Sequence, residues 1–235
     1  MRDLLRKLVR KVAGEHCEAW HFIELVRLAQ RHGASRVLDV GCGYGEKLKL
    51  LQSLGFDVVG VDVNSDAVGQ NLKSGFHCFK PDEFLGSSQM FDIVLMSHVI
   101  EHFAPSDLLE FMDAYLSHLK VSGHLLVVTP FVSPLFFYNF DHVKPYPPEA
   151  LDEIFVQVRP QVKFVSRYRL ELVGLRMRKR PFLYQVSLHG RTKHPRVLRL
   201  ARRGAVRLHR YSCGAIGRTD GWLGLYRNKG VRDYP

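Results

Sequence analysis

A short β-branched run that breaks into alternating glycines most restricts how this chain can fold: Arg36-Val37-Leu38-Asp39-Val40-Gly41-Cys42-Gly43-Tyr44-Gly45. The apolar run reads as a buried parallel strand. Glycines at 41, 43 and 45 let the chain turn sharply after it and bring bare backbone against a ligand. A helix follows through Leu48, Leu50, Leu51 and Leu54 and stops at Gly55. Asp57-Val58-Val59-Gly60-Val61 then repeats the strand signature. Strand, glycine turn, helix and strand in that order make a βαβ unit.

The alternation continues. A helix is expected over 65–74, a weaker strand over 76–80, and a strand at Phe91-Asp92-Ile93-Val94-Leu95-Met96. A helix over 105–119, a strand over 123–130 and a helix over 147–155 come next. Beyond Pro160 the rhythm loosens: 162–172 alternates like a strand, and Trp222-Leu223-Gly224-Leu225-Tyr226 resembles a final one. The expected class is α/β, a doubly wound, mostly parallel, seven-stranded sheet. Residues 1–34 read as a helical cap, with Leu4, Leu5, Leu8, Val9 and Val12, then Trp20, Ile23 and Leu28, at helical spacing. Residues 35–235 form the main domain, with a basic insertion over 177–219 before the last strand.

Charge divides along the chain. Residues 1–158 hold 14 Lys and Arg against 20 Asp and Glu, a net of −6; residues 159–235 hold 20 against three, a net of +17. An anionic partner is expected for the basic part. Within it, residues 195–210 fit an amphipathic helix: Val197, Leu200, Ala201 and Leu208 share one side, Arg196, Arg199, Arg203, Arg207 and Arg210 the other. That pattern suits a membrane surface or a polyanion, and otherwise a solvated face that packs on the domain. Cys17, Cys42, Cys78 and Cys213 form no C-x-x-C pair, the start lacks a signal-peptide run, and no apolar stretch reaches 18 residues. A reduced, cytoplasmic setting is expected, peripheral at the inner membrane face if the basic helix meets lipid.

The glycine turn also carries chemistry. A dinucleotide fingerprint would need a third glycine at position 46, where this chain has Glu46. A carboxylate at that helix start repels a pyrophosphate. The turn therefore suits a ligand with an adenosine but no phosphates. Asp62, at the tip of the second strand, can accept both ribose hydroxyls. Asp39 can orient the loop or receive an ammonium group.

These residues resemble the class I S-adenosylmethionine-dependent methyltransferase superfamily, with a Rossmann-like methyltransferase fold. The likeness covers about residues 35–155: Val37 to Gly45 as the glycine motif, Val58 to Asn64 as the ribose-binding strand, and Phe91 to His102 as the fourth strand and its loop. It implies that Asp39, Gly41, Gly43 and Asp62 hold S-adenosylmethionine, with the Ser97-His98 backbone beside it. Asp82 is the candidate for facing the adenine amine.

His98, Glu101 and His102 cluster in sequence, and His142 lies in the loop after the fifth strand, which this topology brings alongside. Three imidazoles and a carboxylate can bind a divalent cation and lower the pKa of a coordinated hydroxyl. The segment Val99-Ile100-Glu101-His102 with Asp141-His142 looks like two metal-using branches, the ubiquinone-biosynthesis O-methyltransferases and the enzymes that methylate the 2′-hydroxyl at small-RNA 3′ ends. The latter have a Glu where this chain has His98. The alternatives are a catalytic base or substrate contact formed by His102, Glu101 and His142, or packed wall residues. Phe131, Phe136, Phe137, Tyr138 and Phe140 are candidates either to wall an acceptor pocket or to pack the N-terminal helices.

The resulting expectation is methyl transfer to an oxygen of a small or lipid-linked acceptor, a sugar or a phenol. RNA 2′-O-methylation is a second reading, although the chain carries no RNA-binding module motif and its insertion lacks aromatic interleaving. A non-catalytic, methyltransferase-like binding protein is a third.

Overall fold

The computed structural model describes residues 17–133, 136–156, 164–182, 196–212 and 215–232. The helical spacing read over Leu4–Val12, Cys213, and residues 183–195 of the insertion lie outside these. In order come α1 (Cys17–Arg31), β1 (Arg36–Val40), α2 (Glu46–Ser53), β2 (Asp57–Val61), α3 (Ser65–Lys73), β3 (His77–Phe79), α4 (Pro81–Leu85) and β4 (Phe91–Ser97). They continue with α5 (Pro105–Leu116), β5 (Leu119–Pro130), α6 (Pro148–Phe155), β6 (Tyr168–Arg180), α7 (Arg196–Tyr211) and β7 (Arg218–Val231).

The seven strands form one sheet in the order β3-β2-β1-β4-β5-β7-β6. β1 to β5 pair in parallel, and β7 runs antiparallel between β5 and β6. Strand alternation sends side chains to two cores. Leu38, Val40, Val94, Met96, Leu125 and Val127 face α5 and α6 through Leu108, Met112, Leu151 and Phe155. Val37, Val58, Ile93, Leu95 and Leu126 face α1 to α3, where Phe22, Leu25, Val26 and Ala29 form a helical stripe with no exposed surface. Helices on both faces make the sheet doubly wound, as expected.

Several boundaries move. β6 extends to Arg180 and β7 begins at Arg218, so the insertion between them is shorter than 177–219 at both ends. Pairing of the two long strands, through three register shifts, continues as far as Arg180 and Arg218 and absorbs those residues into the sheet. α4, which the sequence reading lacks, occupies 81–85, with Pro81 in its first turn and the Glu83 carboxylate accepting from the Lys80 amide at 2.9 Å. Among the described residues no helix is long and apolar enough to cross a membrane.

Candidate cofactor and acceptor site

The carboxyl ends of β1, β2 and β4 build the site. Gly41, Gly43 and Gly45 adopt φ of 74°, 49° and 79°, left-handed values that favour glycine. A Cβ on Gly41 would run into Val99, and one on Gly45 into Asn71. The turn is pinned from β2: the amides of Gly41 and Cys42 donate to the Val61 carbonyl at 2.8 and 3.1 Å. Asp62 Oδ2 accepts from the Gly43 amide at 2.7 Å, and its Oδ1 from Asn64 at 2.8 Å. Asn64 in turn caps α3. Asp62 thus holds the glycine turn as well as bordering the cavity beside it, and each oxygen keeps a lone pair for a ligand hydroxyl.

That cavity measures about 350 Å³ and is bordered by Gly41, Asp62, His98, His102 and an aromatic wall of Phe103, Phe111 and Tyr115. Asp39 lies behind the turn, 1% exposed, and neither carboxylate oxygen has a hydrogen-bond partner. Burial pushes its carboxyl up to about 7 against the pull of Lys47. Buried polar groups are normally hydrogen-bonded, so this carboxyl keeps its acceptor capacity free beneath the glycine turn. Ser97 ends β4, half-buried. Asp82 is exposed on the first turn of α4, directly after Pro81, which borders the cavity, and thus stands at the rim of the opening.

His98 follows β4 at φ 59°, with its amide on the Val128 carbonyl at 2.8 Å. Its ring stands between two carboxylates, Nδ1 at 3.2 Å from Glu101 Oε1 and Nε2 at 3.2 Å from Glu18 Oε2. Burial disfavours the cation, but the hydrogen bonds to Glu101 and Glu18 outweigh it and raise the pKa to about 9. The two carboxylates favour the protonated ring, while Arg178 Nη1 also lies 3.2 Å from Nε2. Of the four residues expected to form a metal set, His98 stands beside the group that the other three form and touches it through Glu101.

Glu101 is fully buried, its second oxygen accepting from Thr129 Oγ1 at 3.0 Å. Burial would raise its pKa, but His98 holds it below the usual carboxylate value. One ligand atom each of Glu101, His102 and His142 lies within 4.8 Å of the other two. His102 Nδ1 is 3.0 Å from the Asp141 carbonyl, and His142 Nδ1 is 2.9 Å from that of Phe136. A nitrogen facing a carbonyl must carry the proton, so in each neutral ring Nε2 holds the lone pair. Three of the four expected residues thus converge.

The aromatic run divides. Phe136 is buried against His142 and Phe131 packs on the core, whereas Phe137, Tyr138 and Phe140 are exposed. None of the five is among the described residues that border this cavity or join the core under α1, and the rest of the N-terminal segment lies outside the described residues.

Sequence reasoning missed Glu18. Its carboxylate receives Lys47 Nζ of α2 at 3.3 Å, Arg178 of β6 at 2.6 Å and His98. Arg178 also donates to Asp220 Oδ1 of β7 at 3.0 Å. It missed the Cys42–Cys78 contact too, with sulfurs 3.5 Å apart beneath the glycine turn. Both are long-range and leave no local signal.

A 3-2-1-4-5-7-6 sheet with a glycine turn after β1 and an acidic residue closing β2 is the architecture of the class I S-adenosylmethionine-dependent methyltransferases, and the chain belongs to that superfamily. Residues 21–136 match a family described as a methyltransferase domain. The chain is 31% identical over 119 residues to a ubiquinone biosynthesis O-methyltransferase of Chelativorans sp. (strain BNC1), covering 47% of this chain and 46% of the relative. It is 33% identical over 102 residues to that of Bartonella tribocorum, 40% of each. It spans about half the length of these curated relatives. In fold it is similar to a SAM dependent methyltransferase from Archaeoglobus fulgidus (TM-score 0.54, 24% identity, 88% of this chain and 94% of that one). It is likewise similar to the N-methyltransferase NodS from Bradyrhizobium japonicum WM9 in complex with S-adenosyl-l-homocysteine (TM-score 0.56, 16% identity, 91% and 88%). The family's cofactor is S-adenosylmethionine, and the residues fit it: a phosphate-free cradle, the Asp62 lone pairs for a ribose and the orphaned Asp39 for an ammonium.

Proposed function

We propose that this protein transfers a methyl group from S-adenosylmethionine to an oxygen of a small or lipid-linked acceptor, a phenol or a sugar. S-adenosylmethionine supplies the methyl on a sulfonium that already leaves well, so alignment contributes most of the rate. The observation that carries an oxygen acceptor is the His102 ring. It borders the cavity, and with Nδ1 anchored on the Asp141 carbonyl its Nε2 has a lone pair for a proton. A hydroxyl must lose its proton as it is methylated, and a fixed imidazole takes it. His142, its ring centroid 5.1 Å from that of His102, serves as a substrate contact. Glu101, bound by His98 and Thr129, positions the loop and is a poor base. The curated relatives, named as ubiquinone biosynthesis O-methyltransferases, favour a phenolic oxygen.

A second reading rests on the convergence of Glu101, His102 and His142. In it the two Nε2 atoms and a Glu101 oxygen hold a divalent cation that lowers the pKa of the acceptor hydroxyl. Methyl transfer from labelled cofactor to a panel of phenols and sugars, with and without chelator, separates the readings. Transfer that survives chelation and falls on the order of 10²- to 10⁴-fold in His102→Ala supports the base. Loss on chelation, restored by manganese, supports the cation. Full turnover in His102→Ala with chelator present defeats both.

A further inference from the structure

We propose that α7 docks the protein on an anionic lipid surface. The helix connects β6 to β7, and the strand ends it joins, Arg180 and Arg218, are paired at the carboxyl edge of the sheet. That is the edge where Gly41, Asp62 and His98 border the cofactor cavity.

α7 has three sectors, set by about 3.6 residues per turn. One faces the body: His209 is 5% exposed with Nδ1 2.9 Å from the Ile216 carbonyl, and Ala205 and Val206 are half-buried. The apolar stripe does not share that sector. Val197, Leu200, Leu208 and Tyr211 are 78%, 64%, 50% and 80% exposed, spaced so that they fall on one outward line. The third sector is basic. Arg203, Arg207 and Arg210 form it; with Arg202 and Val206 of the first sector they border a cavity of about 410 Å³ along the same helix, and α7 contains no acidic residue.

A surface helix of a globular domain normally turns its apolar stripe inward. Here the domain takes the His209 sector instead and presents the stripe to the outside, beside the arginines. Apolar side chains that enter the acyl boundary, next to guanidinium groups that meet headgroup phosphates, are what an interfacial helix needs. Phe137, Tyr138 and Phe140, 67%, 55% and 99% exposed in the loop after β5, add apolar surface to the same edge of the sheet. Nucleic acid fits the arginines but would leave Val197, Leu200 and Leu208 without a partner, since base stacking uses aromatic platforms and this helix exposes Tyr211 alone among them. Docking goes beyond the catalytic reading and does not depend on it; it would turn the cavity's edge toward acceptors held in a bilayer.

Flotation of the full chain with phosphatidylcholine vesicles, and with vesicles containing about 30% phosphatidylglycerol, tests this directly, because headgroup charge is the variable. Binding should require the anionic lipid and weaken at least about tenfold between low and high salt. Leu200→Ser/Leu208→Ser and Arg203→Glu/Arg207→Glu should each weaken it about tenfold or more, while S-adenosylhomocysteine binding by calorimetry stays unchanged and certifies the fold. No binding to anionic vesicles at low salt overturns the proposal. So does binding that both double variants retain. A single-stranded RNA oligonucleotide bound with the Arg203/Arg207 dependence but without the Leu200/Leu208 dependence, and not displaced by vesicles, overturns it in favour of a polynucleotide.

Discussion

Glu18 and His98 stand 3.2 Å apart, carboxylate to imidazole, although eighty positions separate them in the chain. The contact fastens α1 to the loop after β4, and through His98 reaches Glu101 and Thr129 in the acceptor region. Glu18 itself is ionised: burial would raise its pKa, but His98, Lys47 and Arg178 hold it far below the usual carboxylate range. Protonation of His98 is therefore a structural term.

Its sign is set by the direction of the shift. The folded-state pKa of His98 is raised from 6.5 to about 9. The stabilisation is fully present below pH 6.5 and is lost as pH rises through 9. The side chain is 41% exposed, so screening reduces the linkage to about 1 kcal/mol. Thermal melts of wild type and His98→Gln between pH 6 and 10 check this. Wild type should lose its advantage over the variant on the alkaline side, and parallel curves refute the role.

Asp39 has the opposite logic. Its carboxyl is raised from 3.8 to about 7 by burial, and neither oxygen has a hydrogen-bond partner. The group costs stability progressively as pH rises from 3.8 through 7. Asp39→Asn is expected to melt higher than wild type at pH 8, and to bind S-adenosylmethionine more weakly by roughly 1–3 kcal/mol for the lost charge-assisted contact. Stability and binding should move in opposite directions. A variant with unchanged affinity would deny Asp39 a part in holding the ammonium.

Asp62→Ala removes the acceptor for the Gly43 and Asn64 amides and, with it, the carboxylate proposed to hold the ribose. Calorimetry with S-adenosylhomocysteine should show a loss of about 1–3 kcal/mol. Asp62→Asn keeps one acceptor oxygen and should recover part of it. An Asp62→Ala protein that binds as wild type would remove the cofactor assignment from β2.

Gly60 sits in β2 between the two cysteine side chains. A Cβ there would meet Cys42 Sγ at 2.8 Å, Leu48 Cδ1 at 3.1 Å and Cys78 Sγ at 3.2 Å. Gly60→Ala is thus expected to destabilise by about 1–3 kcal/mol in chemical denaturation. Because the displaced Cys42 belongs to the glycine turn, cofactor affinity should fall with it. A neutral substitution would mean that the layer below the turn is looser than these distances imply.

What the sequence by itself determined was everything written in short range. The buried strands β1, β2, β4 and β5, the glycine turn and Asp62 are legible because period, β-branching and left-handed backbone are local properties. The start of α7 near Pro195 is legible for the same reason. α4 escaped because five residues are too few to show a period. The ends of β6 and β7 escaped because pairing between them, not propensity, sets their length. Only the tertiary structure decided which way side chains point. It seated His98 between Glu18 and Glu101, beside the cluster that Glu101, His102 and His142 form, because contacts across eighty positions leave no local trace. It exposed Asp82 on a helix that begins one residue earlier. It also turned the α7 stripe of Val197, Leu200 and Leu208 outward, because an amphipathic pattern records that a helix has two sides and not which side the domain takes.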